Sequence, residues 1–194
     1  MQNVVFHRYF LALRPPALLA TTLAMMGSVY RLAGTRLPAD RLHITLAMIG
    51  GHYEAPQPRL VERVGEALHD VPLPAQRPVF DQLVRANDRA LLTASEPLTF
   101  IESFRHDLVH RLAEAGVAAK VPDSPPHMTL AHGHQWRTGT ESIDPISWRA
   151  DELVLIESHV GAGRHTLRAH WPLGGVTETV QLPLPLALPE KMAA

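Results

Sequence analysis

The sequence predicts an α+β protein of two similar halves whose antiparallel sheets face each other. Three observations predict it. Hydrophobic periodicity gives the order strand–helix–strand–helix, then strands–helix–strand again. A four-residue stretch, H-x-T-L, occurs once in each half, as His43-Ile44-Thr45-Leu46 and as His127-Met128-Thr129-Leu130. The chain has 194 residues, 46% hydrophobic and 19% charged, which supports one large domain or two small lobes sharing a core. By chance the stretch is expected about 0.1 times in such a chain, so two copies in strand-like surroundings are a signal.

Residues 4–13 (VVFHRYFLAL) read as a buried first strand. Pro15-Pro16 ends it and opens a helix over residues 17–33, whose core stripe is Leu19, Leu23, Met26 and Tyr30, with Gly34 as its stop. Met25-Met26 reads as core filling. The second strand runs over residues 41–49 and Gly50-Gly51 closes it. Residues 60–68 form a helix with Leu60, Val61, Val64 and Leu68 on one face, and 71–78, with three prolines, a connector or edge. Strands over 79–85 and 90–94 flank an Asn87-Asp88 turn. Residues 99–115 are a helix, with Phe100, Phe104, Leu108 and Leu112 as its core face and Gly116 as its stop. A short strand over 117–121 and a rigid Pro122-to-Pro126 approach lead to the second motif strand, 126–132. Residues 133–145 read as a polar loop, and 148–159 with 164–171 as a long hairpin turning at Gly161-Ala162-Gly163. The main domain takes residues 1–175. The proline-spaced tail, 176–194, reads either as an edge or as disordered.

A net charge of −1 gives no electrostatic footprint for long duplex nucleic acid, which requires a clearly basic face. Twelve histidines still allow a local anion site. With no cysteine there is no disulfide framework, thiolate metal site or Cys nucleophile, which fits a cytoplasmic location. The apolar run 17–26 is interrupted upstream by prolines and is far short of the roughly 18 residues that span a bilayer, so no membrane partner is expected.

Side chains alternate faces along a strand, so His and Thr at i and i+2 point the same way. Two such strands facing each other would hold two imidazoles and two hydroxyls. One imidazole takes a proton, the other gives one, and the hydroxyls donate to oxygens where charge builds, as metal-free phosphodiester chemistry demands. The paired motifs, together with Arg8-Tyr9-Phe10-Leu11-Ala12-Leu13, Leu42-to-Gly50, Pro126-to-Ala131 and Arg168-to-Leu173, resemble the 2H phosphoesterase superfamily. The closest branch is the RNA 2′,3′-cyclic phosphodiesterases, also called 2′-5′ RNA ligases (LigT-like). The resemblance covers residues 4–173. It implies a bilobal fold with pseudo-two-fold symmetry around a central groove and helices outside. It also implies monomeric, cofactor-free and metal-free hydrolysis of RNA-terminal 2′,3′-cyclic phosphate to 2′-phosphate, with reverse 2′-5′ ligation as a companion reaction. His43 would be the proton donor to the departing 3′ oxygen and His127 the acceptor from water. Thr45 and Thr129 would hold the phosphoryl oxygens, and Phe10 would offer a base a stacking face.

The sequence departs from that pattern at one place: family members often carry arginine two residues after the second Leu, and this chain has His132. The candidate phosphate contact is therefore His132, a group that is cationic only below its pKa. Two alternatives stay open. One is a 2H-type enzyme acting on a 2′-5′ oligonucleotide or a cyclic ADP-ribose phosphate. The other is a nucleotide- or RNA-binding module that has lost turnover. His106 and His110 have zinc-ligand spacing on a helix, but lack an H-E-x-x-H glutamate and read as a solvated face. His134 reads as loop surface and Arg164 as a solvated turn residue.

Overall fold

The computed structural model describes residues 5–32, 34–69, 73–86, 88–133 and 137–174. Strands and helices follow in the order β1 (Phe6–Leu13), α1 (Ala17–Val29), β2 (Thr35–Arg36), a 3-10 turn (Ala39–Arg41), β3 (Ile44–Tyr53), α2 (Pro58–Leu68), β4 (Val79–Arg85), β5 (Arg89–Thr93), α3 (Thr99–Glu114), β6 (Ala119–Lys120), β7 (Met128–His132), β8 (Gly139–Ser147), β9 (Glu152–Val160) and β10 (Arg164–Pro172). Four strands, β10-β9-β1-β3, make one lobe and four, β7-β5-β4-β8, make the other; all these pairings are antiparallel. The two antiparallel sheets expected from sequence are thus two halves of one continuous sheet.

The join between lobes is a single residue pair, Ile44 with Met128. Antiparallel pairing about one pair carries a local two-fold axis, which maps His43 onto His127 and Thr45 onto Thr129. Beyond the join the two strands separate, and each takes a two-residue partner on the side it vacates. β6 lies beside Met48 and Ile49 of β3, and β2 lies beside Ala131 and His132 of β7. These wedges hold the lobes apart while satisfying backbone groups that the divergence would leave unpaired. The core runs through both lobes and includes Ile44, Leu46, Met128 and Leu130, each at most 3% exposed. A fully buried side chain of this size stabilises by about 1.5–3 kcal/mol, so the apolar half of each motif fixes the strand and leaves the polar half on the other face.

Helix ends show why two expectations differ in outcome. α3 stops where expected: Gly116 takes φ 68°, its N–H bonds Ala113 O at 2.9 Å, and Val117 N–H bonds Leu112 O at 2.7 Å. α1 ends at Val29 by the same motif, with Arg31 at φ 50° where glycine would be easier and Leu32 N–H bonded to Gly27 O. The sequence points to Gly34 instead because arginine is a poor left-handed residue.

Four further expectations are corrected. Residues 139–147 are strand β8, not loop; it pairs with β4 at the sheet edge, and only Ile143 and Ile146 pack on the core, so no buried stripe marks it. Pro145 is tolerated there because an edge strand can spare a donor. Gly50 does not close β3. It sits at φ 60° in a bulge against β1, and the strand continues to Tyr53; a Cβ at Gly50 would lie 1.9 Å from the Tyr53 hydroxyl. Phe100 is 86% exposed, because the buried face of α3 is Ile101, Phe104, Arg105, Leu108 and Leu112. Met25 is 64% exposed, whereas Met26 packs on the core. The expected turn at Asn87 and loop at His134 lie wholly or partly outside the described residues, as does the tail 176–194. Among the described residues no helix is long and apolar enough to cross a membrane.

Candidate active site at the lobe junction

Each motif histidine sits one residue before its strand, at the point where the lobes meet. His43 Nδ1 donates to the carbonyl oxygen of Arg41 at 2.7 Å, and His127 Nδ1 to that of Pro125 at 2.9 Å. A carbonyl only accepts, so Nδ1 carries the proton in both rings and Nε2 is the atom left to meet a ligand. The bond to the carbonyl two residues back occurs twice, as the local two-fold requires. Thr45 and Thr129 are partly exposed while Ile44, Leu46, Met128 and Leu130 are buried, so the alternation expected from sequence is realised.

Arg105 ties the two halves together. From sequence α3 reads as a plain core helix, and this arginine goes unnoticed. Its side chain reaches from α3 to donate to Thr45 O at 2.7 Å in the first motif and to Ser124 O at 2.9 Å on the approach to the second. Burial pushes its pKa down to about 10, so it remains cationic at neutral pH. An arginine inside an otherwise apolar helix stripe is the one signal that could have found it.

The imidazoles differ in setting. His43 stacks on Phe10 with ring centroids 4.8 Å apart, and His165 of β10 meets both rings edge-on, at 5.4 Å from His43 and 5.6 Å from Phe10. Burial, and then the charges of Arg41, His127 and Arg14, push His43 down to about 4 despite the bond to Arg41 O. His165 is also pushed to about 4, by burial and then by the charges of His43 and Arg41. His127 is lowered by burial and by Arg105 and Arg89, and among the described residues no ring covers it. Both motif histidines are therefore neutral at neutral pH.

One expected contact is corrected, and the position of a second is set. Phe10 is only 5% exposed and its ring faces His43, so it packs under the imidazole and offers no stacking face to a base. His132 stands at the end of β7, exposed, with its pKa lowered by burial and by Arg89 and Arg41. It therefore carries less charge at neutral pH than an arginine would. His106 and His110 lie exposed on α3, where His110 pairs with Glu114 at 3.3 Å. Arg164 is tied to the fold: its Nη2 donates to His159 Nδ1 at 3.1 Å.

A second polar cluster lies on the opposite face of β1 from Phe10. His7, Glu157 and His159 are buried and offer atoms within 4.8 Å of one another, a candidate metal set. Every member is already engaged. Glu157 accepts from His7 and from Arg168, while His159 accepts from Arg164 at Nδ1 and donates to Thr166 at 3.0 Å. Two guanidiniums against the cluster oppose a cation, so it reads as a buried ion-pair network.

No family model and no curated protein matches the sequence. Solved structures do match the fold. Escherichia coli LigT, in complex with 3′-AMP, superposes with a TM-score of 0.71 at 20% identity, covering 87% of this chain and 98% of that one. A phosphoesterase structure gives 0.67 at 20% identity, with coverage of 87% and 99%. The protein TT0787 of Thermus thermophilus gives 0.60 at 18%, with coverage of 87% and 98%. The chain thus has the LigT-like fold, with its two H-x-T-L stretches at the junction of the lobes.

Proposed function

We propose that this chain is a 2H-type phosphodiesterase that hydrolyses the 2′,3′-cyclic phosphate at RNA or oligonucleotide ends to a 2′-phosphate. The observation that carries the reading is the Ile44–Met128 pair. It relates two histidines by a local two-fold, each held through Nδ1 by a carbonyl with Nε2 free. In the reaction, one neutral imidazole takes a proton from water as its oxygen bonds to phosphorus. The bond from phosphorus to the 3′ oxygen breaks, and the other ring, as imidazolium, protonates that oxygen. Thr45 and Thr129 hydroxyls donate to the non-bridging oxygens. LigT, the fold neighbour, has been seen with 3′-AMP and with phosphate, which is consistent with a ribonucleotide phosphate as ligand.

The resemblance to 2H enzymes makes His43 the acid and His127 the base. Against that order, burial holds His43 near 4, far from the protonated form that an acid needs, before substrate binds. A bound phosphate anion would raise both. A p-nitrophenyl phosphodiester, whose leaving group needs no proton, separates the roles: the variant among His43→Ala and His127→Ala that recovers on it has lost the acid. The reading itself is tested by giving the purified protein an oligonucleotide ending in 2′,3′-cyclic phosphate with EDTA present. Release of 2′-phosphate, lost in both variants, supports it; no turnover, or turnover equal in the variants, rejects it. Hydrolysis confined to a 2′-5′ linkage or a cyclic ADP-ribose phosphate would move the activity to the other substrate class.

A further inference from the structure

Among the described residues, the arginines whose charge reaches the motif histidines are engaged with protein partners, with one exception. Arg89 is spent on Asp88 through two bonds of 2.9 and 2.6 Å. Arg105 is spent on the Thr45 and Ser124 carbonyls, and Arg14 donates to Asp40 O at 3.1 Å. Arg41 differs. Among the described residues its guanidinium pairs with no acid and donates to no acceptor, and its Nε is buried without a partner. A half-buried guanidinium left so is costly unless an anion completes it.

Its place in the fold says which anion. The Arg41 carbonyl holds His43 Nδ1, so its side chain starts beside the reacting imidazole. The Ile44–Met128 pair, Arg36 opposite Ala131, and Leu37 N–H on Leu130 O at 2.8 Å run residues 36–44 alongside 128–132. Thr35 is the residue opposite His132, and Arg41 stands in the 3-10 turn that leads from β2 to β3, with its charge reaching His132. Its Nη1 reaches the β9–β10 turn, 3.4 Å from where a Cβ on Gly163 would stand. Its charge is felt at His43, His132 and His165 alike.

We propose that Arg41 grips the substrate's phosphate oxygens, supplying from the first motif the cation that position 132 of the second motif lacks. This rests on the phosphodiesterase reading of the groove, and it gives the first motif both a reacting imidazole and the anion clamp. The test is inorganic phosphate binding, measured separately from turnover, to the wild type, Arg41→Gln, Arg41→Lys, and Arg41→Gln combined with His132→Arg. Arg41→Gln should weaken phosphate by roughly 10- to 100-fold, the loss expected for a charge-assisted hydrogen bond. Arg41→Lys should lose less, and His132→Arg should restore binding to Arg41→Gln. In the wild type, phosphate should shift the Arg41 Nε–H resonance, a reading that stands even where a variant fails to fold. Phosphate bound as tightly by folded Arg41→Gln, or an unmoved Arg41 resonance, overturns the proposal even with cyclic-phosphate hydrolysis intact. Arg41-dependent phosphate binding in a protein that hydrolyses no cyclic phosphate would keep the clamp and remove the activity.

Discussion

The two motif sites share a backbone and differ in what covers it. At the first, His43 is walled by Phe10 and His165 and is held near 4; at the second, His127 has Ser124 Oγ at 3.4 Å and, among the described residues, no ring against it. The local two-fold sets both Nδ1 bonds, but it is broken at the side chains by what β1 and β10 bring to one side only. Repetition of a motif thus fixes where two groups stand, and the unrepeated surroundings decide their proton affinities. Unequal proton affinities push two such rings toward different roles in acid–base chemistry.

Removing each imidazole puts the pairing of the two sites at greatest risk. His43→Ala and His127→Ala should each lower kcat on a cyclic-phosphate oligonucleotide by roughly 10²- to 10⁴-fold, with thermal unfolding near that of the wild type. A fall in only one of them would mean that the two copies do not act as a pair. Next comes Phe10→Ala, which should cost about 3–5 kcal/mol in denaturant unfolding, the usual range for a buried phenylalanine. It should also raise the His43 pKa in an NMR titration while leaving His127 in place. Equal movement of both would show that the cover is not specific to the first site.

Arg105→Met probes what the two sites hold in common, since one guanidinium serves both motifs. Stability should fall by about 2–4 kcal/mol, with two carbonyls left unpaired, and activity should fall with it. Acid sensitivity should follow from His43 and His165. Both have folded pKa values near 4 against an ordinary 6.5, so between those values the unfolded chain binds more protons. Stability should therefore fall as pH drops from about 6.5 toward 4, and His165→Phe should flatten that slope. The smallest effect is expected at His132: His132→Gln should change phosphate affinity at pH 7 by less than about twofold, because a neutral imidazole and an amide differ little in charge there.

Much of the site could be read from the chain because strand alternation is local. His43 with Thr45 and His127 with Thr129 could be placed on one face, and Ile44, Leu46, Met128 and Leu130 on the other, without knowing the partner strands. Helix α3 and its stop could be read as well, since Gly116 favours the left-handed turn that ends it. Phe10 could be picked out but its role could not: an aromatic beside the motifs fits a base platform or a packing partner, and only the 5% exposure decides. β8 was invisible because an exposed edge strand buries too little to leave a pattern. Arg105 reaches a carbonyl 60 residues away, His165 covers a ring on a distant strand, and Arg41 is marked by an atom left without a partner. None of these is a property of a local window.

Periodicity and residue chemistry are enough for the secondary-structure order apart from β2 and β8, for the two strands that carry the motifs, and for the chemical set of two imidazoles and two hydroxyls, because none of these needs a long-range contact. Only the folded chain shows that the strands meet at a single pair, that β2 and β6 wedge them open, that Phe10 lies beneath His43, and that Arg41 has no partner among the described residues. Those outcomes depend on burial and on the distance between charges far apart in the chain, so they exist only once the lobes have closed on each other.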